Sequence, residues 1–389
     1  MICYMDNSAT TKVMDEVIEE MNECMREEYA NPSSRHFMGV NAEKRLRAAR
    51  QTIASTLKVD EKEIFFTSGG TESDNWAVLQ ASRAAARRGK HVITTRIEHP
   101  AVLNPMKQLE KEGFEVTYLS TDSYGIVSLE ELKNAIRPDT VLVSVMGVNN
   151  EIGTVEPVEE IGRIIKSINP GTLFFVDAVQ MYTKVPVYPK RMKIDMLSVS
   201  GHKIHAAKGV GFLYIAKGTK IAPLLTGGGQ QQDMRSGTDN VPGIAGMAKA
   251  AEILFKEGDE RTNRLTALRD DFIKKVTEID GISVNGPAGC EEMRYAAAPH
   301  IVSISVKGIR AEVLLNALSE KGICVSSGSA CSSNKPAISE TLKTIGTDKS
   351  LLDSTLRFSF GMYNTPEEID YVLDVLKEET ALLRKFTRR

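Results

Sequence analysis

The residue best suited to covalent chemistry in this chain is Lys203, in the stretch DMLSVSGHKIHAAKGVGFLY (195–214). An apolar run (Met196, Leu197, Val199) precedes it and a second, Val210 to Ile215, follows. Both read as buried strands, so the lysine sits where two strands meet. Desolvation there disfavours the ammonium, lowers its pKa and leaves a nucleophilic amine suited to a Schiff base with an aldehyde. A lone lysine on such a turn more often only snorkels. Its importance depends on what else the chain carries.

FTSGGTESDN (66–75) places Gly70 and Thr71 between a strand end and a helix start. Free backbone N–H groups and the helix dipole favour phosphate there, although Thr71 followed by Glu72 in a lone glycine-rich turn is more often only a helix cap. No GxxxxGK[ST] pattern supports a nucleotide P-loop. Asp177 ends the apolar strand TLFFV, with Gln180 three residues later. A buried carboxylate needs a cation, and a protonated ring nitrogen would serve; a helix cap is the alternative. His99, in a loop after HVITT, is suited to stacking on a planar ring or moving protons, or is merely exposed. His202 and His205 lack a third ligand, so no metal is expected.

Arg357, in STLRFSF, suits bidentate capture of a carboxylate, with a surface ion pair as the alternative; Asn150, in VNNEIGT, offers an amide opposite. Cys331 lies in VSSGSACSSNKP, a run of small polar residues that predicts a mobile, accessible thiol, or else a loop cysteine without a role. The other cysteines, Cys3, Cys24, Cys290 and Cys324, are scattered without a CxxC pair and read as reduced thiols.

Strands alternating with helices from Glu63 to about residue 178 predict an α/β architecture with a mostly parallel sheet, helices on both faces and ligands beyond the carboxyl ends of the strands. The glycine-rich stretch 227–240 interrupts that order, helical sequence runs to about Ile279, and a smaller α+β domain follows. With 389 residues the chain exceeds one ordinary core. The division expected is 16–255 for a large cofactor-binding domain, and 1–15 with 256–389 for a small one carrying a cysteine loop at about 324–337. Lysine plus arginine (49) nearly balance aspartate plus glutamate (51), giving no basic excess for nucleic acid. No run spans a bilayer and no targeting pattern opens the chain, so a cytoplasmic protein is expected.

Together these stretches resemble the cysteine desulfurases of the NifS/IscS kind, pyridoxal-phosphate enzymes of fold type I in the class V aminotransferase group. The resemblance runs in order through DNSATT, NPSSRH, FTSGGTESDN, EHPAV, NNEIGT, VDAVQ, SGHK, KGVG, RSGT, SSGSACSS and RFSFG. It implies that Lys203 binds the cofactor pyridoxal 5'-phosphate covalently, Asp177 faces the ring nitrogen, Gln180 the phenolic oxygen, and His99 stacks on the ring. Gly70, Thr71, Ser200 and His202 would hold the phosphate, with Thr238 reaching it from a second subunit of a homodimer. Asn150 and Arg357 would bind the carboxylate of L-cysteine. Cys331 would take its sulfur as a persulfide and pass it to an acceptor protein for iron–sulfur assembly or thiolation. Ala206-Ala207 stand where the family usually has Gly-Pro, which alters the loop after Lys203; the segment after Cys331 reaches Pro336 early, which points to an acceptor other than the housekeeping scaffold. Alternatives are a selenocysteine lyase or aminotransferase on the same fold, or a catalytically silent binding homologue.

Overall fold

The computed structural model describes residues 1–327 and 338–386. Its strands in chain order are β1 (Cys3–Tyr4), β2 (Ile64–Thr67), β3 (His91–Thr95), β4 (Glu115–Leu119), β5 (Thr140–Ser144) and β6 (Leu173–Asp177). They continue with β7 (Met196–Ser200), β8 (Gly211–Ile215), β9 (Ile282–Asn285), β10 (Ile301–Val306), β11 (Ile323–Cys324) and β12 (Thr355–Ser359). The central sheet has seven strands in the order β2-β8-β7-β6-β5-β3-β4. Only β8 runs against the others, antiparallel to both β7 and β2. Residues of β2, β3, β5, β7 and β8 are buried throughout, because helices cover both faces. β4, at the edge, is only partly covered.

One face of the sheet packs on helices Asp15–Glu27, Phe37–Leu57 and Val158–Ile168 through Val17, Ile53, Leu57, Ile161 and Ile165. The other packs through Trp76, Val102, Met106 and Leu109. A separate core gathers β10 and β12 with helices Ala311–Glu320 and Pro366–Arg384, and also includes Cys3 and Met5 from the start of the chain. The helix Val241–Val276 serves both: Ile244 to Leu254 lie in the first core and Leu265 to Val276 in the second. Between them, Gly258 breaks the helix with φ 47°, a value glycine adopts without the Cβ clash.

Several elements differ from the sequence expectation. The helix expected from Asn41 begins at Phe37, because His36 Nδ1 accepts the Gly39 amide at 3.3 Å and caps it. The helix expected from Glu72 begins at Gly70 and includes a π-helical turn, Trp76–Gln80, where buried Trp76 donates Nε1 to the Ala222 carbonyl at 2.9 Å. Val210 falls outside β8, since its carbonyl accepts the Gly201 amide and closes the Lys203 turn. β9 was not anticipated: only Ile282 and Val284 of its four residues are apolar, too short a pattern to signal a strand.

Candidate active site

Beyond the carboxyl ends of β6 and β7 lies a cavity of about 300 Å³ whose lining includes Gly70, Thr71, His99, Asn150, Asp177, Gln180, Ser200, His202, Lys203 and Arg357. Lining residues as much as 349 positions apart in the chain, Ser8 and Arg357, are thus brought to one space by the strand ends.

At one end, Gly69 has φ 152° and the helix starting at Gly70 carries no side-chain cap. A Cβ at Gly70 would stand 2.8 Å from Val179 Cγ2, and one at Gly211 would meet Gly69 Cα at 2.7 Å. The three glycines let the helix start press against the end of β7, with Ser200 and Thr71 beside it. The first-turn amides therefore remain available to an anion. Glu72 does not cap its own helix start: it accepts from Ser68 N at 3.2 Å and pairs with Arg235 at 2.8 Å.

At the other end, Asp177 is buried, with Oδ1 accepting the Val179 amide at 2.9 Å. Burial raises its pKa, against the opposing pull of His99, that amide and Lys203. Removing an ion from water costs several kcal/mol, while a hydrogen bond to a charged group returns roughly 1.5–3 kcal/mol. A cation laid against Asp177 would close that gap. His99 caps the helix Pro100–Lys111, its Nδ1 accepting the Ala101 amide at 3.1 Å, so the ring is held at the cavity by its own backbone. Gln180 donates Nε2 to the Ser8 carbonyl at 2.8 Å and meets His300 Nε2 through Oε1 at 3.3 Å.

Lys203 ends the 3-10 turn Gly201–Lys203 that follows β7. It is partly buried, and its amine donates to the carbonyls of Ser8 at 2.5 Å and Ala9 at 2.8 Å. The turn is tied to the same segment, since Thr11 donates both its amide and its hydroxyl to the His202 carbonyl at 2.9 Å. Burial, then Lys203, Lys208 and Lys184, lower His202 to about 4, which keeps that imidazole neutral. His205 points elsewhere, donating Nδ1 to the Lys12 carbonyl at 2.9 Å. Ala206 is buried and its amide reaches the Gly201 carbonyl at 3.1 Å, so the turn closes without the family's Gly-Pro.

Arg357 is not a surface residue: 2% exposed, it pairs with Asp6 at 2.9 Å and donates Nη1 to the Asn150 carbonyl at 2.8 Å. Thr238 is exposed and absent from the cavity lining. Cys331, with most of the 324–337 segment, lies outside the described residues. On either side of it, Ser326 bridges to Arg357, and Ser339 Oγ donates to Glu151 at 2.5 Å.

Sequence reasoning passed over several groups that shape this site. Ser8 and Ala9 act through carbonyls, which no side-chain pattern reveals. Asp6 stands in DNSATT, the start of the resemblance, and its carboxylate is the visible signal. Asp74 and Glu98 are buried carboxylates, raised chiefly by burial and further by Asp177; each sits in a motif quoted for its neighbours.

The residues fit a small group with a phosphate at one end, a basic ring nitrogen at the other and an aldehyde within reach of an amine. Two atoms at the cavity, Ser8 Oγ and Arg357 Nε, are buried and without a hydrogen-bond partner among the described residues, and so are open to such a guest and its substrate.

The chain matches the family described as aminotransferase class-V over residues 3–372. It is 46% identical over 384 residues to cysteine desulfurase IscS of Methanosarcina thermophila, spanning 99% of this chain and 93% of that protein. Among solved structures, it is similar to a NifS-like protein at a TM-score of 0.92 and 42% identity, covering 98% of this chain and 100% of that one. It is also similar to SspA in complex with cysteine, at a TM-score of 0.81 and 33% identity over 93% of this chain and 100% of that one.

Proposed function

The chain belongs to the aminotransferase class-V family and is a pyridoxal-phosphate-dependent cysteine desulfurase, and from that premise we propose how its residues divide the reaction between them. The observation that carries the assignment is one cavity holding Lys203, Asp177, His99 and Arg357 around an uncapped helix start. Lys203 would hold the cofactor, and its amine is placed to take the proton from the substrate α-carbon. When bound, the cofactor supplies the electron sink that makes this proton labile. Asp177 keeps the ring nitrogen protonated, His99 covers the ring, and Gln180 reaches the phenolic oxygen. Gly70, Thr71, Ser200 and neutral His202 hold the phosphate.

Arg357 and Asn150 bind the carboxylate of L-cysteine and fix which face of the α-carbon meets Lys203. The Cys331 thiolate attacks the substrate sulfur: an S–S bond forms as the C–S bond breaks, the C–S electron pair stays with the β-carbon, which takes up a proton, and alanine leaves with a persulfide remaining on Cys331. That sulfur then passes to an acceptor protein of iron–sulfur assembly or thiolation. We infer a homodimer in which Thr238, exposed in its own chain, reaches the phosphate end of a second copy. The two cores joined at Gly258 support a large unit over 16–255 and a small one over 1–15 and 256–389. Cys3, Cys24, Cys290 and Cys324 are free thiols, which supports a reducing, cytoplasmic setting; no described helix is long and apolar enough to cross a membrane.

The test is the alanine and sulfide released from L-cysteine with a thiol reductant, with Cys331→Ala alongside. Equal amounts, lost in the variant, support the assignment of roles. Keto acid in place of alanine points to transamination, turnover of selenocysteine surviving in the variant points to a lyase, and no product despite bound cofactor points to a silent homologue.

A further inference from the structure

Lys184 has no part in the reaction as divided above, yet its amine donates to the backbone carbonyl of Lys203 at 2.9 Å. It follows Thr183, a non-glycine residue with φ 69°, whose carbonyl accepts Nη2 of Arg261. Arg261, buried on the helix Val241–Val276, thereby fixes a strained turn from which Lys184 reaches the Lys203 turn. The charged and titratable groups facing Lys184 are Arg261, Lys203, His202, His205 and His300. Burial, with Arg261 and Lys203 beside it, lowers the Lys184 ammonium to about 7.

We propose that Lys184 is a positioning residue for Lys203, holding through its bond to the Lys203 carbonyl the turn that presents the amine. The proposal rests on Lys203 being the lysine that captures the cofactor.

The experiment follows the rate at which apoprotein captures pyridoxal phosphate across pH, with borohydride trapping and mass measurement to count the covalent adduct. It uses Lys184→Met, Lys184→Gln, which keeps a donor without the charge, and Lys184→Arg, which keeps both. In the Met variant, which has no donor for the Lys203 carbonyl, capture slows about tenfold, whereas the Gln and Arg variants, which keep a donor, stay within about threefold of wild type. Capture by the Met variant at the wild-type rate, or equal slowing in all three variants, overturns the proposal. Undiminished trapping in Lys203→Ala would overturn the assignment of Lys203 itself, a result separable from either of the others.

Discussion

The two ends of the cavity hold opposite buried charges that are compensated differently. On the small-core side, Arg357 has a carboxylate partner, Asp6, at 2.9 Å and a carbonyl acceptor, Asn150, at 2.8 Å. On the sheet side, Asp177 has a backbone amide, and burial still dominates its pKa. The difference teaches what each end waits for. Arg357 is paired before any ligand arrives. Asp177 is held ready for a cation, at a cost to the protein that has not yet met its cofactor.

Replacing Asp177 with Asn should break the comparison most severely. In the loaded enzyme it removes one member of a buried pair, a loss of about 3–5 kcal/mol that should appear as a fall in turnover of about two to four orders of magnitude. Steady-state kinetics with L-cysteine measures it. The unloaded protein should show the reverse. A carboxylate whose folded pKa is raised binds its proton more tightly when folded, so stability is lost as pH rises from the ordinary carboxylate range through the raised value. Asp177→Asn should therefore be more stable than wild-type apoprotein, by a margin that grows with pH and vanishes at low pH. Denaturant titrations at several pH values test this, and saturating cofactor should abolish or invert the advantage.

Arg357→Lys probes the other end more gently. The charge stays and the fork is lost, removing one charge-assisted hydrogen bond of roughly 1.5–3 kcal/mol. A ten- to hundredfold rise in KM for L-cysteine with cofactor affinity unchanged is expected; equal damage to cofactor binding would mean that the two ends are not separate. The smallest effect belongs to Ser339→Ala, which removes the cap of the helix Glu340–Thr344 and its bond to Glu151. A stability loss of about 1 kcal/mol is expected from denaturation midpoints.

The sheet end was more legible in the sequence than the small-core end. Apolar runs mark strand ends, so Asp177, Ser200 and Lys203 could be placed beyond them with no knowledge of the partners. Even there, the antiparallel course of β8 was invisible, because burial on both faces erases any alternation. Arg357 was identified by residue type and resemblance, but its partner Asp6 is 351 positions away, and no local pattern encodes such a pairing. Ser8, Ala9 and Lys184 escaped for a related reason: each acts through a backbone carbonyl, its own or that of Lys203. The resemblance supplied roles for Thr238 and Cys331 that the described residues of one chain leave to experiment.

The first residues of the chain carry a burden in time as well as in space. β1 pairs with β11, the Asn7 amide donates to the Ser359 carbonyl, and Asp6 meets Arg357. On the ribosome, at roughly 5–20 residues per second, those partners emerge only after tens of seconds. The central sheet can assemble meanwhile, but Ser8 and Ala9, which receive the Lys203 amine, belong to a segment whose anchor is not yet synthesised. The site therefore reaches its final form only once β12 has been made, and chains ending before it leave Arg357 and the anchor of Ser8 and Ala9 unmade.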